Sequence, residues 1–163
     1  MVKIIYTLRD WRPAFERFGH LANVALFRQQ IDAFTQLVMT APPTEAQQKD
    51  LDYLQILGQL FTQIVYAQLI LESAAVAIDG GQTRPGSVSD LSDLTEAHLD
   101  RMFGVFVQDM ADQAVALHGQ ASTTDAQSTA ALTIVRKPRI DADAEQSFVS
   151  EVLSYSGTYE MKP

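Results

Sequence analysis

Leu54–Ile78 reads LQILGQLFTQIVYAQLILESAAVAI, and its single charged residue is Glu72. Within it, the 23 residues Ile56–Ile78 are long and apolar enough to be either a membrane span or a helix buried on more than one side of a helical protein. Gln59, Gln63, Gln68 and Glu72 fall inside it, and a charge at mid-membrane costs roughly 2.5–3.5 kcal/mol on insertion scales. The reading is therefore a core helix of a bundle or oligomer, in a soluble, cytoplasmic protein with no membrane partner. The pattern predicts a helix that opens at Thr44, where Gln47 completes a capping box. It runs to Ile78 and stops at Gly80-Gly81, with Gly58 the expected place for any bend. At about 100° per residue, Gln48, Asp52, Gln55, Gln59, Gln63 and Tyr66 form one polar stripe, which turns beyond Tyr66 to Ile70, Ser73 and Ala77. A single bundle leaves part of that apolar surface wet. The expectation is a homo-oligomer joined through the Leu54–Ile78 helix.

The flanking sequence keeps the helical period. Asp10 and Pro13 suit a helix start, and His20, Val24, Phe27, Ile31, Phe34 and Val38 form one inner stripe that ends at Ala41-Pro42-Pro43. Residues 80–89, with Pro85 and Gly86, read as loop. Asp90 or Ser92 then caps a third helix that runs to about Leu117, closed by His118-Gly119. Its inner stripe is Leu99, Phe103, Phe106, Met110, Ala114 and Leu117. Ser122 to Asp125 caps a fourth helix, Ala126–Arg136, which Pro138 breaks. A fifth starts at Asp141 or Asp143, with Phe148, Val152 and Tyr155 inward. Residues 1–9 form a lead-in, strand-like over Val2–Leu8, and 157–163 an irregular tail in which Tyr159 and Met161 dock. The expected architecture is one all-α domain over 1–163, an up-down helical bundle of about four to five helices.

The 163 residues carry a formal net charge of −8 and a pI near 4.7, which excludes a nucleic-acid partner that relies on a basic face. With no cysteine, thiol catalysis, disulfides and Cys-ligated metals are excluded. His20, His98 and His118 are the only imidazoles, and none has the Glu-x-x-His or His-x-x-x-His spacing of a helix-borne metal site. No metal is expected. Nucleophile elbows and phosphate loops are missing too. Glu72 interrupts an apolar face, so it is a candidate general base and, with Gln68, a candidate gate for an apolar ligand. Alternatively, Glu72 pairs with an arginine or a helix terminus, or sits at the rim of an interface. His118 suits a helix C-terminus, where a cation meets the negative end of the dipole. Arg136, Lys137 and Arg139 are either a phosphate site or a solvated helix end.

FTQIVYAQLILESAAVAIDGG, from Phe61, resembles the long helix of the C-terminal helical domain of flavin-dependent acyl-CoA dehydrogenases, which ends in a small-residue turn. VFVQDMADQAVALHG, ending at Gly119, is similar to the family segment that closes in a His-Gly-Gly or Leu-Gly-Gly loop against the flavin. The final stretch, IVRKPRIDADAEQSFVSEVLSYSGTYEMKP, looks like C-termini from the same family. Here Gly119 is followed by Gln120, and no Arg-x-x-Phe-Gly flavin-phosphate segment lies in Ala41–Gly58. Arg17-Phe18-Gly19 falls one helix too early, and neither Asp125 nor Glu145 sits in the family's Tyr-Glu-Gly-Thr base context. The resemblance implies a stand-alone bundle that oligomerises or binds a partner, without complete catalytic machinery and without a cofactor of its own. One alternative is a subunit of a split dehydrogenase, in which His118 and Gly119 would wall an FAD held by a dehydrogenase-like partner chain. Another is an acyl-type small-molecule binder gated by Gln68 and Glu72.

Overall fold

Phe15 and Phe18 lie on the wrong side of any single helix that also turns Val24 and Ile31 inward, because at about 100° per residue the two pairs are nearly opposed. The chain resolves this by breaking. In the computed structural model, which describes residues 10–80 and 95–140 and, in a following helical stretch, 142, 145, 146, 149 and 150, helix α1 spans Arg12–Arg17 and α2 spans Ala22–Thr40. The Phe18–His20 turn between them resets the phase, so Phe15, Phe18, Val24, Phe27, Ile31, Phe34 and Leu37 all bury. Two sequence expectations are corrected here. His20 sits in the turn, exposed, instead of heading the stripe, and Leu37 takes the inward place expected of the partly buried Val38. The new helix start brings no cap of its own, since Leu21 has no side-chain acceptor. Asp100, from a later helix, supplies one: its Oδ1 accepts the Asn23 backbone N–H at 2.7 Å, a carboxylate at the positive end of the α2 dipole.

The Thr44–Gln47 capping box forms as its spacing predicts, with the Thr44 N–H donating to Gln47 Oε1 at 2.8 Å and the Gln47 N–H to Thr44 Oγ1 at 3.3 Å. It opens only a 3-10 turn, Gln47–Lys49. Asp50 then takes an extended backbone and caps a second time, its Oδ1 accepting from the N–H groups of Asp52 at 3.1 Å and Tyr53 at 3.2 Å. The long helix, α3, therefore spans Leu51–Gly80 instead of opening at Thr44; Gly81, the second residue of its expected stop, lies outside the described residues.

Helix α4 spans Glu96–Gly119 and is capped by Thr95, whose hydroxyl accepts the His98 N–H at 3.2 Å; Asp90 and Ser92 lie outside the described residues. Leu99, Phe103, Met110, Ala114 and Leu117 are buried as the stripe predicts, joined by Val107, with Phe106 partly buried. Helix α5 spans Asp125–Leu132 behind a Thr124–Gln127 capping box. It ends well before Arg136. The chain leaves the helix so that Ile134 can bury completely and give its carbonyl to Gln30 Nε2, 3.0 Å away. The lead-in with Val2–Leu8, the loop after Gly80 and the tail 157–163 lie outside the described residues. So do Phe148, Val152, Tyr155, Tyr159 and Met161, and the choice between Asp141 and Asp143 as the start of the fifth helix.

The described residues are all-helical, with no strand among them. Helix α4 is the hub: α2, α3 and α5 all pack on it, and α1 packs on α3. Phe103 sits where these meet, edge-on to Phe15 at 5.9 Å and to Phe27 at 5.8 Å, with Phe106 at 5.5 Å. At the other end, two capping boxes are tied together through their glutamines. Gln47 Nε2 donates to Gln127 Oε1 at 2.7 Å and Gln127 Nε2 to Gln47 Oε1 at 3.1 Å. Both side chains are buried, and their remaining N–H capacity goes to the carbonyls of Ser122, Ala41 and Pro42. Satisfying every buried donor in this way makes the two helix starts one unit.

Candidate functional site

Helix α3 has two unlike sides. Tyr53, Leu60, Ala67, Leu71 and Ala74 are buried against the bundle. The opposite line, Thr62, Tyr66, Leu69, Ser73 and Val76, is exposed at every position. Its spacing alternates four and three residues, the pattern that lets two helices pack along a seam. Tyr66 is 61 % exposed, Leu69 54 % and Val76 73 %. Among the described residues this is the one helix long and apolar enough to cross a membrane, and only 28 % of its most apolar stretch is buried. The N-terminal half of the same line is polar, with Gln55 and Gln59 beside Gly58.

Gln68 and Glu72 edge that apolar face. Gln68 is buried, and its Nε2 donates to Glu72 Oε1 at 2.9 Å. Glu72 is half-exposed instead of sealed, and its carboxylate is engaged along the helix. This is the geometry of a satisfied rim group.

His118 and Gly119 end α4 far along the chain from Gln68 and Glu72. The imidazole Nδ1 lies 3.1 Å from the Ser128 carbonyl and 2.7 Å from the Ser128 hydroxyl, and that hydroxyl is 3.3 Å from the His118 carbonyl. With the proton on Nδ1, the ring donates to the Ser128 carbonyl while the hydroxyl donates back. The residue latches α4 to α5. Gly119 leaves open space where a side chain would point, so nothing in the chain demands a glycine there. These contacts make a helix junction.

Polar residues the sequence reading passed over organise the groove beside α2 and α4. Asn23 Nδ2 donates to Asp100 and to the Arg139 carbonyl, and Asn23 Oδ1 accepts the Arg139 N–H at 2.7 Å. The side chain thus pairs with a backbone as a strand would. This pins the 138–140 segment, including the outer residue of the Arg136–Arg139 basic cluster, to the bundle. His20 and Glu96 face each other across the groove at 3.0 Å, both more than half exposed; such a pair contributes little. The signal for Asn23 and Gln30 was present in the sequence: they flank Val24 and Ile31 on the inward side, where an amide needs a partner. No group of His, Asp and Glu among the described residues could hold a metal.

Electrostatics single out two residues at the start of α3. The Ser122 hydroxyl, then the Tyr53 backbone N–H, hold the Asp50 carboxyl below its ordinary 3.8. Burial pushes the Tyr53 phenol above its ordinary 10.0. Its hydroxyl has no hydrogen-bond partner among the described residues.

No known family, curated protein or solved structure matches the chain. The functional reading rests on the geometry above.

Proposed function

We propose that the chain is a non-catalytic assembly domain that docks through the outer face of α3, onto a second copy of itself. The observation that carries this is the exposed line Tyr66, Leu69, Ser73 and Val76, at seam spacing on a helix only 28 % buried along its most apolar stretch. A monomer leaves that face in water; a second α3 laid along it removes it. Charge favours a homotypic contact at this place over others. Two copies with a net charge of −8 each repel, and between Leu54 and Ile78 only Glu72 is charged. The likeness of Phe61–Gly119 to the C-terminal bundle of acyl-CoA dehydrogenases supports the same reading, an up-down bundle that serves assembly in the cytoplasm.

Sedimentation or light scattering tests it. Wild type is expected at a multiple of 18.0 kDa across the micromolar range. In a twofold contact Leu69→Glu removes two leucines at about 1.5–3 kcal/mol each, so association weakens at least about 100-fold while helix content stays unchanged. A wild-type chain that is monomeric at micromolar concentration overturns the proposal. If that monomer floats with neutral lipid vesicles, the α3 face meets membrane instead.

A further inference from the structure

Between the first half of α3 and the middle of α4 runs a groove of about 580 Å³. Its α3 wall is Gln55, Gln59, Gln63 and Tyr66, and its α4 wall is Phe106, Asp109, Asp112 and Gln113. Among the described residues no lysine, arginine or histidine lines it. Three observations bear on what it accepts. The Gln63 Oε1 atom is closed off from solvent and has no donor among the described residues, so the α3 wall is richer in acceptors than in donors. Asp112 accepts from Gln108 Nε2 at 2.9 Å, whereas Asp109 is exposed at the rim. Two aromatic rings stand at the walls, Tyr66 largely exposed and Phe106 partly buried, and ring faces attract cations. Gly58 also lines the groove, and a side chain built there would meet nothing within 4 Å.

We propose that this groove binds an organic cation, an ammonium or guanidinium group on an apolar stem. The carboxylate of Asp109 meets the charge, the exposed Gln59 amide oxygen accepts from its N–H groups, and Phe106 and Tyr66 cover the stem. Acceptors and aromatic faces without a competing cation are what such a group requires, and an anion would find only repulsion from Asp109 and Asp112. The groove shares Tyr66 with the α3 seam, but Asp109 lies on α4 and the seam residues Leu69 and Val76 lie outside the groove. One chemistry covers two sources, a free diamine or an arginine side chain presented by a peptide.

Calorimetric titration of the full chain with agmatine and spermidine, beside an arginine-containing peptide, tests this. Hexanoate and hexanediol serve as anionic and neutral controls. The expected result is binding of at least one cation and of neither control, weakened by salt and weakened about tenfold or more by Asp109→Asn. Gly58→Leu fills the groove from an open, exposed position, keeps the fold and abolishes binding. Binding by the peptide alone identifies an arginine side chain as the occupant; binding by the small cations identifies a metabolite. Leu69→Glu, which tests self-association, leaves the titration unchanged. Absence of binding by every cation overturns the proposal, and so does binding that survives both Asp109→Asn and Gly58→Leu.

Discussion

Replacing Tyr53 by phenylalanine should make the protein more stable, an uncommon outcome for a fully buried position. The ring belongs to the core at 0 % exposure, and phenylalanine fills the same volume less one oxygen. That oxygen is the part with no partner among the described residues. A buried hydroxyl that has lost water and gained no bond costs roughly 1–3 kcal/mol, so Tyr53→Phe should gain about 1–2 kcal/mol after small losses in packing. For a chain of this size that is a rise of about 2–8 °C in melting temperature. Alkaline pH supplies an internal check. Burial raises the phenol above its ordinary 10.0, so the folded state holds its proton after the unfolded state has released it. The stabilising contribution is whole below about pH 10 and falls as pH climbs toward the raised folded value, by up to about 1.4 kcal/mol per unit. Phenylalanine has no such loss, so the gap between the variants should widen above pH 10. Urea titrations followed by helix signal and by the single tryptophan, Trp11, edge-on to Phe15 at 5.4 Å, measure both. A variant less stable than wild type by about 1 kcal/mol or more would show that the hydroxyl is satisfied in the folded protein, and the reasoning would fail.

Phe103→Ala should remove the ring shared by α1, α2 and α4 and lose about 3–5 kcal/mol, which in a marginally stable domain leaves little of the transition; urea midpoints measure it. Asn23→Ala should lose about 2–3 kcal/mol, because it frees the Arg139 backbone and part of Asp100 at once. Asn23→Asp should be worse, since it sets a carboxylate against Asp100, now 3.0 Å from the amide; a better-tolerated Asp would contradict the assigned bonds. Asp50, held below 3.8 chiefly by the Ser122 hydroxyl, should contribute stability at pH above 3.8 that disappears as pH falls through its lower folded value. Asp50→Asn should flatten that part of the acid limb in a pH series of urea midpoints.

The sequence disclosed the inner faces of α2 and α4 because a burial period of three and four residues is written directly in residue type. It did not disclose the α1–α2 break. His20 happens to fall in phase with Val24 and Phe27, so a continuous helix looked self-consistent until Phe15 and Phe18 had to be buried as well. Helix starts were legible only as candidates. Thr44, Asp50, Thr95 and Thr124 are all good caps, and which one opens an α-helix depends on where the chain must bend to bury its neighbours. Caps supplied from distant sequence were invisible: nothing local tells that Asp100 serves Asn23, 77 residues away. For the site, the apolar run at Leu54–Ile78 was legible as under-covered, but the groove beneath Tyr66 needed Phe106 and Asp109 from another helix to become a cavity.

Where the polar groups of the described residues lie is in keeping with the proposed structural role. Asn23, Gln30, Gln47 and Gln127 are buried, and each bonds main-chain groups at a place where the chain enters or leaves a helix. Amides fixed in that way neither transfer protons nor attack substrates; they hold junctions. The two groups that suggested chemistry from the sequence are likewise engaged, Glu72 by Gln68 and His118 by Ser128. In both cases the contact shown joins neighbouring helical residues or helices, which suits the proposed assembly role. What the fold leaves unengaged is surface: an apolar line on α3 and, continuous with it through Tyr66, a groove of acceptors. Adjacent features of opposite character on one helix suit recognition better than reaction. The apolar half offers area to a like helix, and the amide half offers selectivity for charge. Joint variants separate the two. If Leu69→Glu abolishes association and spares cation binding, while Asp109→Asn does the reverse, α3 carries two independent contacts. If either substitution abolishes both, the helix is a single interface and the groove is part of it.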